Sequence, residues 1–148
     1  MDNLINLQRK TKAKEGSIEY YWFENSNVGL ERTLFHRISI PLEPFDSELS
    51  YVEQPEETEI VFEWYKLNLD DPNKLDGLDL SQDNYPEAES SVYIGAAHNW
   101  CKIISLVLTR LSDLEFSIHG ELEIDFESEG VGRNESFQFD TKVLLKVS

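Results

Sequence analysis

Along Phe116–Glu127, the apolar residues Phe116, Ile118, Leu122, Ile124 and Phe126 alternate with Ser117, His119, Glu121, Glu123, Asp125 and Glu127. A period of two belongs to a β-strand buried on one face only. After the turn-like stretch SEGVGRNE comes a second alternating run, with Phe137, Phe139, Val143, Leu145 and Val147 in phase. Together they predict a closing hairpin, Glu115–Glu127 with Ser136–Val147. A simple register would set Phe126 against Phe137, Ile124 against Phe139, Glu123 against Asp140 and Glu121 against Lys142.

Upstream, Ser17–Phe23 reads as an aromatic-rich strand. Leu34–Ile40 reads as another, with Leu34, His36, Ile38 and Ile40 on one face, and Asn25–Gly29 supplies the turn between them. Thr58–Leu69 is apolar on both faces (Ile60, Phe62, Trp64; Val61, Tyr65, Leu67), which predicts a central strand. Val92–Gly95 is a short strand or the approach to a helix. In Ala96–Ser112, the residues Trp100, Ile103, Ile104, Val107, Leu108 and Leu111 follow i, i+3, i+4 spacing opposite Lys102, Ser105, Thr109 and Asp113. That spacing predicts one long helix, with Leu106 stranded on its polar side. Two acidic excursions, 41–59 and 70–90, are expected to be loops. The fold expected is α+β, a mainly antiparallel sheet with the long helix on one face. The 148 residues form one domain, with 1–16 as a basic arm.

Charge then narrows the function classes. Asp and Glu number 29 against 13 Lys and Arg, for a net −16. Residues 1–16 hold Arg9, Lys10, Lys12 and Lys14 against Asp2 and Glu15, so the rest is more acidic still. Nucleic acid and anionic membrane surfaces repel such a chain, whereas a basic protein surface attracts it. The single cysteine, Cys101, excludes an internal disulfide and fits a reducing compartment. No apolar run has signal-peptide or membrane-span length, so the expected location is the cytoplasm. Nothing in the sequence sets the oligomeric state.

Catalytic and metal motifs are incomplete. His119-Gly-Glu121 matches the H-x-E of zinc deaminases, but the P-C-x-x-C partner is missing. His98 and Cys101 would share a helix face, yet His36 and His119 lie on separate strands, too few ligands for zinc. Cys101 with His98 as a nucleophile pair lacks an oxyanion donor. Asp71, Asn73 and Asp76-Gly77 approximate a calcium loop, with Leu75 at a ligand position and the glycine one residue late. No phosphate-cradling glycine loop, nucleophile elbow or dinucleotide fingerprint is present. The expectation is a protein without catalytic residues, metal or cofactor.

What remains is the carboxylate row. Same-face residues of a strand lie about 6.5–7 Å apart, where two unit charges repel by about 0.6 kcal/mol in water. A merely solvated face usually mixes signs. Glu121, Glu123, Asp125 and Glu127, with Asp140 from the neighbouring strand, are therefore the candidate partner-binding residues.

In its acidity, its lack of a catalytic constellation, and the segment 96–112 followed by GELEIDFESEG and ESFQFDTKVLL, the chain resembles small acidic bacterial immunity proteins. Such proteins neutralise contact-dependent-inhibition or other polymorphic toxins. The resemblance implies an inhibitor that covers the basic substrate-binding surface of a cognate toxin, foremost a nuclease. A phage-type nucleic-acid mimic would share the physics with another target. A small-molecule-binding or enzymatic α+β domain would instead hold a pocket between sheet and helix, lined by Trp64, Tyr65 and Trp100. A structural adaptor would use the acidity for solubility alone.

Overall fold

The computed structural model describes residues 4–146. One helical turn, α1 (Leu7–Lys10), precedes seven strands: β1 (Gly16–Asn25), β2 (Leu30–Pro41), β3 (Glu59–Tyr65), β4 (Glu89–Ile94), β5 (Ala97–Arg110), β6 (Glu115–Ile124) and β7 (Glu135–Lys146). Each strand is antiparallel to the next, and β1 meets β7 to close a barrel. Seven is odd, so the first and last strands run the same way. Their pairing, Gly16 with Val143 through Glu19 with Lys146, is accordingly parallel. Closure removes the exposed edges of an open sheet.

The expected α+β fold is overturned, because the predicted helix 96–112 is strand β5. Gly95 and Ala96, both at positive φ (67° and 59°), turn the chain tightly from β4 into β5. Asn99, Cys101 and Ile103 then point inward, and so do Leu106 and Leu108. The step from Ile103 to Leu106 is three residues because a β-bulge lies between Ile103 and Ser105. That extra residue produces the i, i+3 spacing that reads as helical. Leu106, the residue stranded by the helical pattern, is fully buried.

A second bulge corrects β3. Between the pairs His36–Tyr65 and Ile38–Phe62, β3 has one residue more than β2. Trp64 takes up the excess at φ 66°. Ile60, Phe62 and Tyr65 therefore share the interior, while Trp64 faces outward against Phe23 and Phe35, each at 5.3 Å.

The closing hairpin keeps the expected faces but not the expected register. Leu122 faces Phe137, Gly120 faces Phe139 and Ile124 faces Glu135. The strands end earlier than their hydrophobic pattern, because residues 125–134 form the connection and bury Phe126 and Val131 within it. Val147, expected in the second strand, lies outside the described residues.

The barrel is filled rather than hollow. Ile18, Ile38, Ile60, Phe62, Phe116, Ile118, Leu122, Phe137 and Val143 are all essentially inaccessible. Gly120 makes room for the Phe139 ring, whose atoms would lie 2.4 Å from a Cβ there. At the end of the barrel holding the β6–β7 connection, Ile5 and Leu7 of the N-terminal segment are buried. Glu135 fixes that segment by accepting from the Asn6 and Leu7 amides at 2.9 and 2.8 Å. The excursion 42–58 joins this end, burying Leu42 and Phe45. The excursion 66–88 closes the other end with Leu75 and Leu80. Part of it runs beside β5, where the Gly77 and Leu80 amides donate to Leu108 and Leu106 and the Leu108 amide donates back to Leu78. The acidic excursions are loops, and their few apolar residues are plugs.

Candidate functional site

Outer faces of the strands carry the charge. On β6 the outward residues are Ser117, His119, Glu121 and Glu123, flanked by β5 and β7. The expected cross-strand pairs are corrected: Glu123 faces Lys102 on one side and Ser136 on the other, and Glu121 faces Ser105 and Gln138. Asp140 faces His119, not Glu123, and its carboxylate meets the imidazole Nδ1 at 2.6 Å. Lys142 faces Ser117. Gln138 donates to Glu121 at 3.2 Å.

The end of the row is bent into the connection. Asp125 accepts from both the amide and hydroxyl of Ser128, at 3.0 and 2.6 Å. Those bonds favour its ionised form and hold its carboxyl below the ordinary range. Glu127 is tied to Asn134 by a reciprocal pair of bonds, its amide donating to the Asn134 side chain and its carboxylate accepting from the Asn134 amide. Of the five candidate residues, Glu121, Glu123 and Asp125 thus stay together on one face. Glu127 serves the loop and Asp140 serves His119.

Beside these acids lies a residue the helical reading had placed in a core. Trp100, outward on β5, is 54% exposed. It shares a shallow groove of about 600 Å³ with Lys102, Glu123, Asp125, Gln82 and Asn134. The Trp100 carbonyl accepts from the Asp125 amide at 2.9 Å, which sets the two residues side by side where β6 passes into the connection. Further along the same rim, Tyr93 is 48% exposed and packs against His98 with ring centres 4.8 Å apart. A strand period applied to 97–103, with Asn99, Cys101 and Ile103 inward, is the sequence signal that exposes Trp100.

The other candidate residues are separated in the fold or engaged with backbone. His98 and Cys101 lie on opposite faces of β5, with Cys101 buried inside and its thiol pushed up to about 12 by burial. Asp71 accepts from the Asn73 amide in its own turn, and Asp76 accepts from the Arg110 amide at the end of β5, so both carboxylates hold backbone. Among the described residues no cluster of three or more His, Cys, Asp or Glu is arranged to hold a metal. The pocket imagined between sheet and helix has no helix, and its three aromatics are dispersed. Tyr65 is internal and donates to the Leu80 carbonyl at 2.6 Å, while Trp64 and Trp100 face outward.

His36, inside the barrel on β2, has its Nε2 2.9 Å from the Pro72 carbonyl. Burial lowers its pKa, which keeps the ring neutral. Among the described residues no helix is long and apolar enough to cross a membrane. No family model, no curated protein and no solved structure matches this chain.

Proposed function

We propose that this barrel is a cytoplasmic binding inhibitor of a basic protein, of the immunity-protein kind, with no chemistry of its own. The observation that carries the reading is Trp100. A large indole stands exposed in a groove with Glu123 and Asp125, on a chain of net charge −16. An aromatic anchor ringed by charge is the composition of an interface hot spot, where truncation costs about 2–4 kcal/mol of binding. Surplus negative charge speeds encounter with a cationic partner by about 10- to 1,000-fold at low salt. A nuclease toxin fits this description, because the cations that grip phosphates also attract carboxylates. Strands, rather than loops, hold Trp100, Glu121 and Glu123, so little ordering entropy is lost on docking.

The test is genetic and kinetic. A toxin encoded beside this reading frame should kill cells that lack the barrel, and the wild-type barrel should rescue them. The triple variant Glu121→Lys, Glu123→Lys, Asp125→Lys should fold, fail to rescue, and associate with the toxin at least about tenfold more slowly. Trp100→Ala should chiefly raise the dissociation rate. Full rescue by both folded variants would take this face out of the interface.

A further inference from the structure

At the opposite end of the barrel two cations, Arg32 and Lys66, share one groove with a single carboxylate, Glu31. Beyond Glu19, β1 has no described pairing with β7, and above His36, β2 leaves β3. The two strands continue as a paired ribbon, Tyr20 with His36 through Asn25 with Leu30, whose Phe23 and Phe35 pack against Trp64. Between one face of this ribbon and the segment 66–69 lies a groove of about 330 Å³, whose lining includes Trp22, Glu31, Arg32, Thr33, His36 and Lys66.

Three features mark it as built. First, Arg32 and Lys66 form no ion pair among the described residues, in a chain where carboxylates outnumber cations by more than two to one. Arg37, by contrast, is met by Glu19, Glu59 and Glu63 at 3.7, 3.9 and 2.6 Å. Second, the Arg32 guanidinium is held 4.6 Å over the Trp22 ring, which is itself 55% exposed. This cation–π contact holds the guanidinium over the ring, and among the described residues no carboxylate pairs with its N–H fork, which matches phosphate and carboxylate oxygens. Third, the floor lacks a hydrogen bond. His36 is 1% exposed, and its Nε2 must carry the proton because a carbonyl can only accept. Its Nδ1 is then a buried acceptor without a partner.

The geometry points to a phosphate-binding site, with Arg32 and Lys66 holding the oxygens and His36 Nδ1 accepting from a P–OH. A carboxylate would satisfy the two cations but has no proton to give the imidazole. Hydrogen phosphate and the monoanion of a phosphate ester do. Nδ1 is covered in the free protein, so the bond to it forms only when the groove floor opens locally. This site is independent of the acidic face and of any partner there.

The experiment is an NMR titration of the full chain, following the three Trp indole N–H signals and the Arg side-chain signals. Inorganic phosphate, glycerol phosphate and acetate are the probes, at constant ionic strength. Saturable shifts of the Trp22 and Arg32 signals with phosphate or its ester, and not with acetate, are expected, with Trp100 unmoved. Saturation by both phosphates assigns the site to the shared group. Saturation by the ester alone assigns it to a phosphorylated small molecule. The double variant Arg32→Ala, Lys66→Ala, verified as folded by its spectrum, should weaken binding more than about tenfold, and Arg32→Lys should weaken it several-fold through loss of the fork. Equal shifts with acetate, shifts that do not saturate, or binding retained by the double variant would each overturn the proposal.

Discussion

Strands β5 and β6 are neighbours that solve the same packing problem differently. From Phe116 to Ile124, β6 keeps strict alternation, every second residue inward, with one register throughout its pairing to β7. β5 alternates from Asn99 to Ile103, inserts one residue, and resumes at Leu106. Two consecutive outward residues, Ile104 and Ser105, are the result. The difference teaches that a barrel wall tolerates a change of parity in sequence so long as the interior set stays in phase in space. Bulges do this while sharpening the local twist that closure requires.

The largest test of that lesson is a pair of single-residue deletions. Removing Glu121 from β6 shifts every residue beyond it to the other face. Either Phe116 and Ile118 or Leu122 and Ile124 then lose burial, at about 1.5–3 kcal/mol per side chain. Added to the lost pairing, this consumes most of a stability of about 5–15 kcal/mol, and no cooperative melt is expected. Removing Ile104 from β5 does the opposite. Ile103 and Ser105 become adjacent, opposite Leu122 and Glu121 as before, and Leu106 and Leu108 stay inward. Segment 77–82 keeps step as well, because its bonds to Ile103 and Leu106 span the same extra residue. The variant lacking Ile104 should melt cooperatively within a few degrees of wild type. A collapse equal to that of the Glu121 deletion would mean that the bulge itself, not parity, sustains the wall.

Next in size is a substitution pair on β5. Leu106 is fully buried, so Leu106→Ala should cost about 2–5 kcal/mol. Ile104 is 41% exposed, so Ile104→Ala should stay within about 0.5 kcal/mol. Helical periodicity ranks the two the other way round, which is why this strand was illegible as a strand. Its residue types carried the correction, since Ile103, Ile104, Val107 and Thr109 are β-branched and disfavoured in a helix. β2, β6 and β7 were legible from alternation and turn residues, because nothing interrupts their phase over the stretches that were read, and β1 was legible from its aromatic residues. Closure was not. The β1–β7 seam joins only four residues of each strand, Gly16 with Val143 through Glu19 with Lys146, and a pairing between the first and last strands leaves no local pattern in a sequence. The acidic row was legible as a row, but its pairings depend on where the β6–β7 connection starts. Trp100 was missed for the same reason as β5.

A moderate effect belongs to Gly120, where β6 meets Phe139 of β7. Gly120→Ala drives a methyl group into a buried ring, at an expected cost of about 1–3 kcal/mol. Phe139→Leu in the same molecule should recover part of that loss, because the shorter side chain vacates the space over position 120. A thermal melt of the two single variants and the double checks it. An additive double variant would mean that the close contact is relieved elsewhere.

The smallest effect bears most directly on function, because it asks whether β5 neutralises the acids of β6. Lys102 and Glu123 face one another across the two strands, yet they are not drawn into a tight ion pair. Both are exposed, so their coupling should be at most about 0.2–0.5 kcal/mol, and it should vanish at high salt. A double-mutant cycle with Lys102→Ala and Glu123→Ala measures it through stability alone, with no partner needed. A coupling this weak leaves the Glu123 carboxylate free to exchange its interaction with Lys102 for one with a cation on another protein. A coupling above about 1 kcal/mol would mean that the charge is already matched within the barrel. Docking would then have to break that match, and the Trp100 groove would lose the electrostatic half of its case.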